Sequence, residues 1–238
     1  MRACFLFCAL FMPAAQAATC SATSPPTRTS LLELYTSEGC SSCPPADRWL
    51  SRLPTDSGVV PLAFHVDYWD RLGWKDPFGN AAYSQRQRAR NRGMGWVYTP
   101  QVMLDGRDYR DWHRSRAPQL SRTAAPVSLD LGLAVSPGQV DAQVSSRFAS
   151  THRRSDAQLF IALYENRLSS NVAAGENARR TLNHDHVVRV LAGPLAPDAR
   201  YRFALDPAWK TADLGVAAFM LDAQGATLQA LARPLCEN

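Results

Sequence analysis

After its N-terminal segment, the chain lacks any apolar run long enough to cross a bilayer, which excludes a membrane-spanning helix. It also lacks internal repeats and low-complexity segments. Cysteine is scarce, with 6 in 238 residues, and no second C-x-x-C or nearby C-x-x-H accompanies the one C-x-x-C motif. Four ligands for zinc are therefore not expected. A chain of this length can form one large domain or two small ones.

The first 17 residues have the features of a secretory signal peptide. Arg2 precedes an apolar run that ends at Met12, and Pro13 with Ala15-Gln16-Ala17 completes the small-x-small cleavage pattern. We therefore assign residues 1–17 to a signal peptide and expect an exported protein, periplasmic or secreted.

Export leaves four cysteines in the mature chain, at positions 20, 40, 43 and 236. Four cysteines allow three pairings, and the close pair is the natural redox pair. Cys20 and Cys236 would then form a structural disulfide that closes most of the chain into one loop, as an oxidising compartment permits. A lipidated Cys20 is the alternative, although Thr19 is a poor fit to the small residue expected before a lipidated cysteine.

The sequence Cys40-Ser41-Ser42-Cys43 lies between a predicted strand and a predicted helix. Residues 31–36 are a short apolar run, and residues 44–50 have the composition of first helical turns. Several backbone N–H groups lack partners at a helix start, so the pattern predicts an exposed Cys40 sulfur that favours the thiolate. Cys43 lies about one turn on and can resolve a mixed disulfide at Cys40. The alternative is a purely structural disulfide.

The net charge of +5 invites a nucleic-acid interpretation. The positive charges are dispersed except in residues 86–92, which hold four arginines. A basic helix face is usually solvated, and an exported protein rarely meets nucleic acid. No nucleic-acid partner is therefore expected.

Composition divides the chain near residue 124. Residues 18–30 are a polar lead-in, and residues 31–124 alternate predicted strands (31–36, 59–66, 97–104) with predicted helices (77–92, 111–123) as an α/β unit does. Residues 125–238 show apolar alternation between turn signals, which predicts an antiparallel β-sandwich.

A proline opens the third predicted strand, at Thr99-Pro100. The order strand, C-x-x-C, helix, strand, helix, Thr-Pro, strand resembles the thioredoxin superfamily. The motif ELYTSEGCSSCPPAD at residues 33–47 is similar to an exported bacterial thioredoxin-like family that is catalogued as a domain of unknown function. The resemblance implies a redox-capable site with a cis bond before Pro100, where the backbone of Thr99 would pair with an extended substrate.

Candidate groove residues follow the second predicted strand. Tyr68, Trp69 and Asp70 lie at its carboxyl end, where ligand crevices form, and they could build a substrate wall beside the dithiol. Glu38 would oppose thiolate formation at Cys40 or accept a proton. The alternative is that the aromatic rings pack a cap and the acids cap turns.

Metal binding is a minority interpretation. His65 on an apolar strand is typical of a hydrogen-bonded core residue, and His184 and His186 have no third ligand in view. Met94 could join the two close cysteines and a histidine around copper(I), since sulfur donors suit that ion. Otherwise no metal and no organic cofactor is expected, because two cysteines can carry the electrons.

The sequence thus predicts a thioredoxin-like α/β domain followed by an antiparallel β-sandwich domain, and a thiol–disulfide oxidoreductase. Cys40 would react first, Cys43 would resolve, and Pro100 would shape the docking groove. The expected partners are a protein client with a thiol or disulfide and a redox partner protein. A copper(I) metallochaperone and a non-catalytic interaction module with a structural disulfide are the alternatives.

Overall fold

The computed structural model describes residues 17–91, 94–120, 122–150 and 154–236, so the predicted signal peptide lies outside the described residues except for Ala17. The two α-helices are α1 (Pro44–Ser51) and α2 (Ala81–Arg90), and within the described ranges no helix is long and apolar enough to cross a membrane. The strands are β1 (Ala18–Thr23), β2 (Ser30–Thr36), β3 (Val59–His65), β4 (Gln101–Leu104), β5 (Arg107–Asp108), β6 (Val127–Ser136), β7 (Gln139–Phe148), β8 (Gln158–Glu165), β9 (Leu168–Asn171), β10 (Thr181–His184), β11 (Val187–Leu195), β12 (Ala199–Ala204), β13 (Leu214–Leu221) and β14 (Thr227–Pro234).

One large mixed sheet organises the molecule. Its eight strands run in the order β14-β13-β8-β11-β3-β2-β4-β5. β2 and β3 are parallel, and β11 joins the edge of β3 in parallel with Val187 opposite Ala63. The β11 contact continues the sheet from the first half of the chain into the second.

Both faces of this sheet are covered. Along β8, Leu159, Ile161 and Leu163 pack towards a four-stranded antiparallel sheet of order β1-β6-β7-β12, while Phe160 and Tyr164 belong to the core on the opposite face. Side chains that alternate along a strand point to opposite faces, and burial of both explains the continuous apolar sequences of β8 and β13.

The helices cover the part of the sheet that carries the cysteine motif. Ala46 and Leu50 of α1 pack with Leu32, Leu34 and Ala63 from β2 and β3. On the other side of the sheet, Tyr83 of α2 packs into the core formed by β2, β3 and β8.

The expected fold class, a thioredoxin-like α/β domain followed by an antiparallel β-sandwich, is wrong. Of the residues that the structure describes, 44% are in strands against 15% in helices, and the large sheet takes strands from both sides of residue 124. The apolar strands β8 and β13 extend the β2–β3 sheet through β11, because the two apolar faces of β8 and β13 need covering layers on both sides. A division into independently folding units at residue 124 stays a prediction.

Two local expectations also fail. The lead-in contains β1, which pairs with β6, and the predicted helix at 111–123 is only a short 3-10 turn, Arg110–Arg114. Pro118 cannot donate the hydrogen bond that a continuing helix would need.

Two arginines of the basic run face the interior. Arg86 and Arg90 form ion pairs of 2.8 and 2.7 Å with Glu33, whose side chain is fully buried on β2. Burial raises the pKa of Glu33, but the two guanidinium groups outweigh that effect and hold its pKa below the usual value. The interpretation of this face as wholly solvated is therefore incomplete.

Cys20 and Cys236 form a disulfide between residues separated by 216 positions in sequence. Cys20 lies on β1 of the smaller sheet, and Cys236 follows β14 at the edge of the larger one. The bond therefore ties the edges of the two sheets together.

Replacing this disulfide in a Cys20→Ala/Cys236→Ala variant should lower the free energy of unfolding by about 2–5 kcal/mol, because a loop of this length restricts the unfolded chain strongly. Urea unfolding followed by circular dichroism measures the change. A loss below about 1 kcal/mol would contradict the assigned role.

Candidate functional site

The cysteine pair lies at the start of α1 and is joined by a disulfide. Cys40 and Cys43 have Cα atoms 5.4 Å apart, and Cys43 is the N-terminal cap residue of the helix. Both cysteines are 0% exposed, whereas Ser41 and Ser42 between them are exposed. The expectation of an exposed Cys40 sulfur is wrong, because other parts of the chain cover it.

The supply of backbone donors around Cys40 is smaller than expected for a helix start. Pro44 and Pro45 occupy the first helical positions and have no N–H, and the N–H of Cys43 donates to the carbonyl of Cys40 at 3.2 Å. The hydroxyl of Ser42 lies 3.4 Å from Cys40 Sγ. Ser42 is therefore placed to stabilise a Cys40 thiolate in the reduced protein.

A segment from the second half of the chain covers the cysteine loop; we call residues 175–180 the covering segment. The buried side chain of Asn177 donates through Nδ2 to the carbonyls of both Glu38 and Cys40, each at 2.9 Å. The carboxylate of Glu176 accepts from the N–H of Ser41 at 2.9 Å, which holds its pKa below the usual value. These hydrogen bonds fix the covering segment to both sides of the first cysteine.

Gly39 and Gly175 allow close packing at this point. A Cβ on Gly39 would lie 2.9 Å from the Cβ of Trp69, and one on Gly175, whose φ is +73°, would lie 3.3 Å from the Cβ of Trp74. Both tryptophans therefore pack against glycines beside the dithiol.

The predicted groove residues are brought together in part. Trp69 contacts the cysteine loop and donates from its indole N–H to Thr99 Oγ1 at 2.8 Å. The Thr99–Pro100 peptide bond is cis. Tyr68 donates to Gln87 Oε1 on α2 at 3.1 Å, and burial raises the pKa of its phenol.

Asp70 has a local role. Its carboxylate accepts from the N–H of Asp76 at 3.2 Å, and burial raises its pKa. This is the turn-capping alternative considered from the sequence.

Glu38 is fully buried and its carboxylate is bound to two side chains. It accepts from the indole N–H of Trp74 at 2.8 Å and lies 3.1 Å from His184 Nε2. The N–H of Glu38 donates to Asp76 Oδ2 at 2.8 Å. The residue therefore joins the cysteine loop to polar groups in the interior.

His65 and Asp76 form a buried pair, with His65 Nδ1 2.8 Å from Asp76 Oδ2. Burial lowers the pKa of His65, but the Asp76 carboxylate outweighs it, so the pKa lies above its usual value. Burial raises the pKa of Asp76, but the nearby His65 lowers it by more, so the pKa of Asp76 lies below its usual value. Both directions favour an imidazolium–carboxylate pair.

In the described ranges, no group of three or more histidine, cysteine, aspartate or glutamate side chains has the geometry to hold a metal ion. His184 is buried against Glu38, and His186 is on the turn after β10 with a φ of 58°. The backbone N–H of Met94 donates to Asn91, on the C-terminal side of α2. The copper(I) alternative stays a prediction without a defined ligand set.

Sequence reasoning missed Asp47, Asp76 and Asn177 at this site. Asp47 carried a signal, since an acid four residues after Cys43 falls on the helix face that also holds Cys43, Ala46 and Leu50. No sequence pattern pointed to Asp76 or Asn177, because their contacts depend on loops that are distant in sequence.

The chain belongs to a family of proteins of unknown function, DUF1223, whose model matches residues 31–221. No curated protein matches it.

Two solved structures share the fold. The protein AGR_C_4864 from Agrobacterium tumefaciens is 23% identical with a TM-score of 0.58, and the similarity covers 90% of this chain and 97% of that one. HBP35 of Porphyromonas gingivalis is 16% identical with a TM-score of 0.61, covering 89% of this chain and 76% of that one. At these identities the likeness shows the fold alone.

Asn177→Ala should uncover the cysteine loop. It removes two buried hydrogen bonds worth about 1 kcal/mol each, so opening of the covering segment should become roughly 30-fold more frequent. Reduction of the Cys40–Cys43 disulfide by a small phosphine measures this. Asn183→Ala, at an exposed position on β10, is the matched control. Equal reduction rates in the two variants would contradict the covering role.

Ser42→Ala should raise the pKa of the Cys40 thiol in the reduced protein by about one unit, because a hydrogen bond to the thiolate worth about 1.4 kcal/mol is lost. The rate of iodoacetamide alkylation against pH gives the value. Ser41→Ala keeps the backbone intact at the neighbouring position and should change the pKa less. A larger effect from Ser41 would overturn the assignment.

Proposed function

We propose that this chain is a thiol–disulfide oxidoreductase whose redox centre is the Cys40–Cys43 pair. The observation that carries the proposal is a disulfide across three positions at the start of a helix, in a chain that already has a long-range disulfide. A loop this short contributes only about 2 kcal/mol in the loop-entropy model, against about 5 kcal/mol for the long one. Stability alone is a weak reason for the short bond.

The exchange needs only the two sulfurs. A client thiolate attacks Cys40 Sγ, the bond between Cys40 and Cys43 breaks, and Cys43 leaves as a thiolate that takes up a proton. A second client thiolate then attacks the client sulfur of the mixed disulfide, and Cys40 is released. The client gains one disulfide, and the protein gains two electrons and two protons as a dithiol.

Burial makes access the first step of this reaction. Because Cys40 is 0% exposed, a client sulfur reaches it only after the covering segment moves from the carbonyls that Asn177 binds. Trp69 packs against Gly39 beside Cys40 and binds the half-buried Thr99, which supports the groove interpretation, and Pro100 comes next in the chain. We assign client docking to the surface around these residues.

Two disulfides fit an oxidising compartment, which supports an exported protein, periplasmic or secreted. Turnover needs a protein client and a second redox protein that returns the pair to its starting state. The direction of the reaction depends on the potential of that partner.

One observation favours a second candidate, a non-catalytic module. The fully buried pair is also what a structural disulfide would show. The two candidates differ in whether Cys40 exchanges with a disulfide.

Cys43→Ala should leave Cys40 able to form a mixed disulfide but unable to resolve it. The reduced variant, mixed with oxidised glutathione, is expected to retain one glutathione per chain by intact mass. The reduced wild type should end with a Cys40–Cys43 bond and no adduct. A Cys40→Ala/Cys43→Ala variant controls for other sites.

Absence of the adduct in Cys43→Ala, also when Asn177→Ala opens the covering segment, would favour the structural candidate and reject the exchange function.

A further inference from the structure

Five ionisable side chains form a buried group beneath the cysteine pair; we call it the acid–imidazole cluster. No member is more than 6% exposed, and the members are Glu38, Asp47, His65, Asp76 and His184. Burying ionisable groups costs free energy, so a buried cluster of them beside a cysteine pair is a candidate for a functional role.

Asp47 connects this cluster to the second cysteine. It lies four residues after Cys43, and its N–H donates to the carbonyl of Cys43 at 3.2 Å. Side chains at this spacing on a helix are neighbours, and both are buried on the side of α1 that faces the sheet. The carboxyl group therefore lies one helical turn from the sulfur that resolves the mixed disulfide.

Three strands present polar groups to Asp47. The Thr36 hydroxyl comes from β2, and His65 comes from β3. The two residues lie opposite each other on these neighbouring strands. β10 packs against α1 and brings His184. Two more distant acids contact the other nitrogens of the two imidazole rings: Asp76 lies against His65 Nδ1, and Glu38 lies against His184 Nε2.

Three of these groups have buried atoms without a partner. Among the described residues, Thr36 Oγ1, His65 Nε2 and His184 Nδ1 are buried and make no hydrogen bond. The two imidazole rings are in contact, with centroids 4.9 Å apart. Unpartnered buried nitrogens cost about 1–3 kcal/mol each. For His184 Nδ1 that cost is recovered when a proton or a donor reaches it, whereas Nε2 of the His65 imidazolium needs an acceptor such as the Asp47 carboxylate.

The charge around Asp47 suits reversible protonation. Burial raises the pKa of Asp47, and the imidazoles of His184 and His65 oppose that rise without cancelling it. A carboxyl group whose pKa is raised holds an accepted proton more readily than an unperturbed carboxyl group does.

We infer that Asp47 is the proton acceptor for Cys43, and that the unpartnered Nδ1 of His184 shares the accepted proton. The inference rests on the proposed function. In the resolving step the Cys43 S–H gives its proton to the Asp47 carboxylate, and the Cys43 sulfur attacks Cys40. The Cys40–Cys43 bond forms, the bond from Cys40 to the client sulfur breaks, and the client leaves as a thiolate. The reverse step returns the proton from Asp47 to Cys43.

The test is the reaction of the reduced full chain with 5,5′-dithiobis(2-nitrobenzoate). Attack by Cys40 releases one equivalent of coloured thiolate, and resolution by Cys43 releases the second. Asp47→Asn should leave the first release within about two-fold of wild type and slow the second on the order of 100-fold at pH 7, the range for general-base catalysis. The second release should recover as pH rises, because hydroxide then deprotonates Cys43.

Asp56→Asn, at an exposed position, is the matched control and should follow the wild type. Because the pKa of Asp47 is raised in the folded state, its ionisation opposes folding at neutral pH. Asp47→Asn should therefore unfold in urea at or above the wild-type midpoint. His184→Gln provides a second variant and should shift the pH midpoint of the second release.

Two outcomes would overturn the inference in distinguishable ways. If the first release occurs and Asp47→Asn resolves at the wild-type rate with the wild-type pH profile, the relay is rejected and the exchange function stands. If the wild type gives no first release, the exchange function is rejected and the relay with it.

Discussion

A disulfide shielded from solvent at the first turn of α1 sets the requirements of the whole site. Cys40 and Cys43 have no exposed surface, so in the exchange that we propose the protein must arrange both the arrival of a client sulfur and the movement of protons. We assign the first requirement to the covering segment, which Asn177 and Glu176 hold against the cysteine loop. We assign the second to the buried acids and imidazoles beneath the helix.

The large sheet makes this arrangement possible. Because β11 joins β3, the second half of the chain is anchored beside the cysteine motif, and β10 and the covering segment precede β11 directly. His184 and Asn177 thereby reach Glu38 across more than one hundred positions of sequence. The second disulfide, between Cys20 and Cys236, stabilises the two-sheet framework at the far edge. The two disulfides thus differ in loop length and in the role that we assign to them.

Local features and the Cys20–Cys236 disulfide could be predicted from the sequence, and the long-range pairing of strands could not. The strand before Cys40 and the helix after Cys43 are specified by neighbouring residues, and β2 and α1 are found there. The predicted fold class failed because nothing local in Val187 shows that it will lie opposite Ala63. The burial of Cys40 could not be predicted for the same reason, because Asn177, which binds the Cys40 carbonyl, is distant in sequence. Asp47 was within reach, because an acid on the inner face of a short helix breaks the apolar pattern.

The reduction potential of the Cys40–Cys43 pair tests the central claim most directly. It is measured by equilibrating the protein with glutathione buffers and counting free thiols by alkylation and mass spectrometry. An exchange centre should have a midpoint above roughly −300 mV, within range of cellular thiol systems. A midpoint well below that value would identify a structural disulfide and contradict the account.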